Sequence, residues 1–464
     1  DPSMASLNDI TGLVGNSRAA YINLLKIMYL PMWNAHVHEA SELVKRIASM
    51  KGKIAGERLQ GAVTLSWPQS SGQSRREGVR LPRPTTGTHA KPEFHPRNLY
   101  STLQWTGDVE RSSRGGNEAA FAEARMKDIR DARLQFDINY ATKLILGYYE
   151  ARARMTAAPG SGVLTLASRN SRNASDFWNS GRNYLRVNQD IGVAATVSGA
   201  SRQNMETTSG AESSELRYIS AVGGTNSAPN VTVATSAGVA TDPTGVGATD
   251  YIVPWASRAS TVSGTAADDI TTFASFNGLF GIAVDSTQYA AYAGLAKSTY
   301  PTLNGVYRPN PAGTGTTRPF EERQLHVLID TIRDEGVGTE PDFLWLHSST
   351  RREVVAEHSD DRRYAPILGA SGFKKLVAHV GDKALPYDSD FMMMPGIIVA
   401  TETGSWGWYE QSALGPIDQT SERWVEGYDA HSIVLHKSGN IVCENPFNQG
   451  ALDDIDVDVY DVNV

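Results

Sequence analysis

Between Asn117 and Met155 the sequence contains no proline, and Gly147 alone interrupts it as a helix breaker. Phe121, Ile129, Ala132, Phe136, Tyr140, Leu144 and Tyr148 recur there at helical spacing, with Arg, Lys and Asp filling the other faces. Ser112 to Gly116 form a breaker cluster, and Asn117 is a good N-cap before Glu118. The spacing predicts a helix on the order of 50 Å long, several times the globular average. A coiled coil is disfavoured because the apolar positions keep no clean heptad. A helix of this length needs a flat or elongated body to lie across.

What precedes it is extended. Ala62 to Trp67 read as a strand leading into a polar tip that carries Arg75, Arg76, Arg80 and Arg83 among prolines and glycines. After His95-Pro96 the chain alternates again, with Leu99, Ser101, Leu103 and Trp105 on one side. Together these predict a long hairpin over residues 61–110. A tip so polar cannot bury itself, so it is functional or unstructured. Residues 1–60 read as a helical arm. Tyr21, Leu24, Leu25 and Met28 share one stripe, Pro31 ends it, and a second helix spans Ala35 to Met50 with Leu43, Val44 and Ile47 inward.

From 158 to 265 the composition shifts to Gly, Ala, Ser, Thr and Val. Strands are expected at Val163–Ala167, Tyr184–Val187, Leu216–Val222, Val231–Thr235 and Tyr251–Val253. This is a small antiparallel β insertion, barrel-like in pattern. Residues 266–464 mix both element types. Asp285 or Ser286 caps a short helix to Leu295, and Thr317, Pro319, Glu321 and Glu322 start a helix that Gly336 stops. Phe343 to Leu346 is a buried strand, followed by a helix capped by Ser348 or Ser349 and running through Glu357. Further strands are expected at Ile397–Thr401, Ser405–Glu410 and Trp424–Glu426. Ile433–His436 and Ile441–Glu444 read as a hairpin around a Lys437 to Asn440 turn. The class is α+β, without βαβ repeats.

The search for chemistry is negative. No Gly-rich phosphate loop, nucleophile elbow or His-Glu-x-x-His helix occurs. His36 and His38 stand two apart, which on a helix separates their faces. The acidic tail Asp453 to Asp458 lacks the central Gly and closing Glu of a calcium loop, and reads as a charge-guarded edge strand. Met392 to Met394 read as adaptable core. One cysteine, Cys443, excludes an internal disulfide or multi-thiolate site, and its apolar neighbours predict burial. A formal net charge of -8 lacks the basic footprint of a protein that grips nucleic acid, but fits one that encloses it. No run is apolar enough for a membrane helix, and no basic leader marks a secretory signal. No catalytic residue, cofactor or metal is expected.

The order of segments resembles the Hong Kong 97-type major capsid proteins of tailed bacteriophages. Pro96 to Asp108 running into the Asn117 helix resembles the family's returning E-loop strand and spine helix. Phe320 to Ile332 with Pro341 to His347, and Asp388 to Ile398 with Trp406, resemble its body. The resemblance implies an N-terminal arm (1–60), an E-loop hairpin (61–110), a spine helix (111–157), the β insertion and a remaining axial and peripheral body (266–464). It further implies self-association into pentamers and hexamers forming an icosahedral head around double-stranded DNA, assembled in a bacterial cytoplasm. Scaffolding, portal and decoration proteins would be partners, with no membrane. Subunit-contact candidates are Arg75, Arg76, Arg80, Arg83 and Trp67 in the loop, and Tyr21 and Leu25 in the arm. An encapsulin-type nanocompartment shell shares the implied fold. A secreted carbohydrate-binding or hydrolytic β protein is the alternative from another class, disfavoured by the long helix.

Overall fold

The computed structural model of the protein describes residues 41–61, 63–66, 86–106, 132, 135–147, 152–166, 185, 187, 189–194, 217–224, 229–235, 247, 250–254, 276–289, 291–312, 316–335, 340–357, 377–380, 383–390, 392–416, 423–424 and 429–457. The mixed helix and strand content is α+β.

The long helix ends sooner than its periodicity predicts. Residues 135–146 are helical, and Gly147 takes φ 59°, the left-handed conformation that stops a helix. Its N–H closes the last turn on the Lys143 carbonyl at 2.7 Å. A side chain at Gly147 is also excluded sterically, because a Cβ there would lie 2.2 Å from the Gly278 backbone. Ala153–Arg154, expected as the helix's end, is instead a strand. The described inward face, Phe136, Tyr140 and Leu144, matches the expected stripe.

That helix covers a five-stranded platform sheet. Its centre is Ala430–Cys443, one uninterrupted strand of 14 residues where the sequence suggested a hairpin. Gly439 looked like a turn residue, but its role is close approach. A Cβ there would stand 2.5 Å from both Trp408 Cζ2 and the Tyr409 carbonyl oxygen. Trp406–Pro416 and Arg423–Trp424 pair along one flank of this central strand. Arg97–Thr106 pairs antiparallel along the other, from Arg97 opposite Gly439 to Thr106 opposite Ala430. Met50–Lys53 runs parallel to Trp406–Pro416 at the far edge.

The hairpin is therefore threaded differently from the sequence expectation. Leu59–Gln60 pairs with Glu93–Phe94, and Val63–Ser66 with Thr88–Ala90. The returning strand is thus 88–94, not 99–106. Local alternation marks a strand but cannot name its partner, and here the partner lies more than 300 residues away in sequence.

A mixed six-stranded sheet runs in the order Val306–Arg308, Gly450–Leu452, Ile398–Thr401, Phe343–Leu346, Lys383–Ser389, Val377–Val380. All of Phe343–Leu346 is buried because both faces are covered. Leu344 and Leu346 meet Leu325, Leu328, Ile329 and Ile332 of the helix Glu322–Glu335. Each such burial contributes about 1.5–3 kcal/mol. Phe343 and Trp345 join the larger core formed by Leu279 to Val284, Met392 to Met394 and the helix Glu42–Ile47. The helix Ser348–Glu357 is capped by His347 rather than by either serine, its Nδ1 accepting the Ser349 N–H at 3.1 Å.

Asp285 starts a turn, not the expected helix. Its Oδ1 accepts the Thr287 and Gln288 N–H groups, while the chain ahead enters a two-stranded hairpin, Ala291–Tyr292 with Leu295–Ala296. The acidic tail is corrected as well. Gly450–Leu452 is an inner strand, and Asp453 and Asp454 are buried, 0% and 1% exposed. Asp453 accepts the Tyr307 hydroxyl at 2.9 Å, and Asp454 the Asn310 N–H at 3.1 Å.

The β insertion forms a second six-stranded sheet, entirely antiparallel, in the order 153–154, 251–254, 190–194, 217–224, 229–235, 163–165. Its two ends meet through a bridge between Met155 and Leu166 and the bond from Thr156 N–H to the Thr165 carbonyl, 3.0 Å. The sheet closes on itself, which removes both edges. Ile191, Val193, Ile219, Val231, Val233 and Ile252 are buried within it. A register shift between Ile219 and Ala221 supplies curvature. Strands 190–194 and 153–154 were not expected from composition. Leu185 is buried, but the described residues of the expected 184–187 strand are not in a sheet.

Candidate assembly surfaces

The described part of the hairpin is its root, held from three directions. Glu93 accepts Gln60 Nε2 at 2.7 Å and Arg58 Nη1 at 2.8 Å, which together lower its carboxyl pKa, the Gln60 bond contributing most. The Glu93 N–H donates to the Ala293 carbonyl, and Phe94 meets Tyr292 edge-on at 5.6 Å. Asn440 of the central platform strand donates to the His95 carbonyl at 2.8 Å. The hairpin thus springs from a fixed base that joins the platform to the 291–296 hairpin.

The first described helix is fixed too. Ser41 caps the helix Glu42–Ile47 by accepting the Val44 N–H, and its hydroxyl donates to Asp390. Asp390 also accepts the Met392 N–H at 2.9 Å. Leu43 and Ile47 are fully buried, and the Arg46 guanidinium lies 4.3 Å over the Phe343 ring. A Ser-Glu pair ahead of Leu-Val was a legible N-cap signal; the link to Asp390, 349 positions away, was not.

Beneath the platform, Tyr140, Phe276 and Trp408 make a triad of edge-on contacts at 5.2–5.9 Å. Lys437 Nζ sits 4.1 Å over Tyr140. Burial lowers the Lys437 pKa and raises that of Tyr140. On the opposite face Tyr100, 50% exposed, stacks on His436 at 4.9 Å, and His436 Nε2 pairs with Asn98. Lys297 is fully buried and donates to the Gly281 and Val284 carbonyls at 2.7 and 2.6 Å, capping the helix Leu279–Ala283. Cys443 is buried as expected, its thiol pushed up to about 12 chiefly by desolvation.

Among the described residues no group of three His, Cys, Asp or Glu could hold a metal. No described helix is long and apolar enough to cross a membrane. The contact candidates Arg75, Arg76, Arg80, Arg83, Trp67, Tyr21 and Leu25 all lie outside the described residues, as do His36 and His38.

No protein-family model and no curated protein matches the sequence. Solved structures do. A chain of the cyanophage A-1(L) capsid asymmetric unit superposes with a TM-score of 0.52 at 12% identity, covering 92% of this chain and 96% of that one. The chain shares the fold of this phage capsid chain. Two further matches have lower scores: a Mycobacterium phage Adephagia structure (TM-score 0.43, 8% identity, 95% and 98% covered) and a capsid of native GTA particle (0.42, 10%, 89% and 90%).

Proposed function

We propose that this chain is the major capsid protein of a tailed phage, assembling through pentamers and hexamers into the icosahedral head that encloses double-stranded DNA. The observation that carries the reading is the capsid fold shared over 92% of the chain. Two features agree with it. The described root of the hairpin and the helix Glu42–Ile47 are both held by hydrogen bonds, as the bases of extensions that grip neighbours would be. The net charge of -8 suits a shell that surrounds DNA without binding it tightly.

In this reading the protein is structural, with no active site. It belongs to the virion, is assembled in the host cytoplasm, and has itself, a scaffold, a portal and decoration proteins as partners. The hairpin is the E-loop of a Hong Kong 97-type subunit and the helix ending at Gly147 its spine. Arg75, Arg76, Arg80 and Arg83, with Trp67, face acidic groups of one neighbour, while Tyr21 and Leu25 brace another. Lys91 is the loop's only lysine, so no covalent lysine–asparagine link is expected between subunits. Negative-stain electron microscopy of the purified protein tests the reading. Closed particles tens of nanometres wide are expected, and a stable monomer overturns it. Charge reversal at the four arginines is expected to reduce shell yield.

A further inference from the structure

Two faces of the body, built from different elements, carry matching chemistry. The first runs from Lys45 to Lys53, through the end of the helix Glu42–Ile47 and the strand Met50–Lys53. Lys45, Arg46, Lys51 and Lys53 are exposed there, with Met50, 57% exposed, between them in the chain. Glu42 and Glu444 pair with three of these cations at 3.3–3.8 Å, but exposed pairs are weak and the face keeps a positive excess. The second face is the outer side of the helix Glu322–Glu335. Its buried stripe is Leu325, Leu328, Ile329 and Ile332, so Arg323, Val327, Asp330 and Asp334 share the outer one at helical spacing. Val327 is 46% exposed, and Asp330, Asp334 and Glu335 are exposed beside it. Those acids sit at the negative end of the helix macrodipole, which disfavours them. Arg333, the cation of that last turn, is held by Glu340 at 3.3 Å. The placement costs the lone subunit stability and suits a cationic surface.

The position of the two faces decides how they meet. Side chains of the strand Phe343–Leu346 alternate, so Phe343 and Trp345 look to one side of the six-stranded sheet, Leu344 and Leu346 to the other. The Arg46 guanidinium lies 4.3 Å over the Phe343 ring, while Leu344 and Leu346 pack with the helix Glu322–Glu335. The two faces therefore lie on opposite sides of one sheet and cannot meet within a subunit. We propose that they meet between subunits: the face of Val327, Asp330 and Asp334 on one copy docks on the face of Met50, Lys45 and Lys53 on the next. Apolar centre then meets apolar centre, and opposite charges form the rim, the ordinary anatomy of an interface. A contact between two different faces is heterologous, and such contacts repeat head to tail until a ring closes. That the partner is a second copy rests on the shell reading; the contact itself is what would join copies into pentamers and hexamers.

Disulfide trapping and charge exchange test the contact on the full chain, with Cys443 buried and adding little thiol background. The variant carrying both Met50→Cys and Val327→Cys, oxidised with copper–phenanthroline, is expected to give a ladder of multiples of 50.2 kDa on a non-reducing gel, because each copy has a neighbour on either side. Either substitution alone is expected to leave the single-chain mass. Asp330→Lys with Asp334→Lys is expected to reduce particle yield, counted by microscopy, by at least about ten-fold, since like charges then face each other. The same two substitutions favour the helix end, so lost particles are not lost folding. Lys45→Glu with Lys53→Glu is expected to act alike, and the two pairs combined to restore particles. Particles of the double cysteine variant that give no ladder overturn the contact and leave the shell reading standing, as does a combined reversal no better than either pair alone. A ladder from a protein whose wild type forms no particles supports the contact and overturns the shell reading. Equal multimers from one cysteine alone mark random collision and overturn the contact.

Discussion

Replacing Lys297 by methionine should remove most of one pH-dependent part of the protein's stability. Lys297 is fully buried, and desolvation brings its pKa from 10.5 down to about 7, against the opposing pull of Asp285. In the unfolded chain the same amine keeps its proton to its ordinary value. Between pH 7 and 10.5 the unfolded state therefore binds more protons than the folded one, and stability rises with pH across that window. Below pH 7 both states are charged and the contribution is flat. From pH 7 to pH 9 the rise amounts to about 2 kcal/mol, two pH units at 1.36 kcal/mol each less the fraction already titrated at the start. Urea unfolding of the subunit at the two pH values, followed by tryptophan fluorescence, reads this directly. Lys437 shifts in the same direction and Cys443 in the opposite one, but both remain in the variant and cancel in the comparison. The stability gain between pH 7 and pH 9 should be smaller in Lys297→Met by about 2 kcal/mol. Parallel pH profiles for the two proteins would refute the placement of a buried amine on the Gly281 and Val284 carbonyls.

Gly439→Ala drives a methyl into the Trp408 indole and the Tyr409 carbonyl, and should lower stability by about 1–3 kcal/mol in the same assay. Ser41→Ala removes both the cap on Glu42–Ile47 and a partner of Asp390, costing about 1 kcal/mol. Limited proteolysis should then cut sooner near residue 41. Cys443 should ignore an aromatic disulfide reagent at pH 8 in the native protein and react fully in urea, since its thiol is both buried and held protonated.

Much of the body was legible because its signals are local. The stripe Leu325, Leu328, Ile329 and Ile332 names its own buried face, and Phe343 to Leu346 can only be a strand covered on both sides. The ambiguous signals were those with two physical meanings. Gly439 beside Asn440 serves equally as a turn or as room for an indole, and only the position of Trp408 decides between them. Asp453 and Asp454 resemble a solvated edge until Tyr307 and Asn310 are seen to satisfy them. Pairing was the least legible property. Arg97–Thr106 announces a strand by alternation, yet its partner is chosen by the closure of the whole chain. The arginine-rich tip was legible only as composition, because Arg75, Arg76, Arg80 and Arg83 announce a polar loop without naming what it meets.

The closed β insertion has one further consequence. It leaves and rejoins the body through neighbouring strands, with Ala153 opposite Ile252 and the Arg152 N–H bonded to the Ile252 carbonyl at 2.6 Å. Among the described residues, the strands between those positions pair only with one another, so to the rest of the fold they count as a single turn. A genome could enlarge, exchange or discard this segment without re-threading any other strand. Likewise, a foreign domain with adjacent termini grafted at 153 and 252 should fold as a passenger while its host folds as before. The subunit is thus a fixed frame with a socket in it.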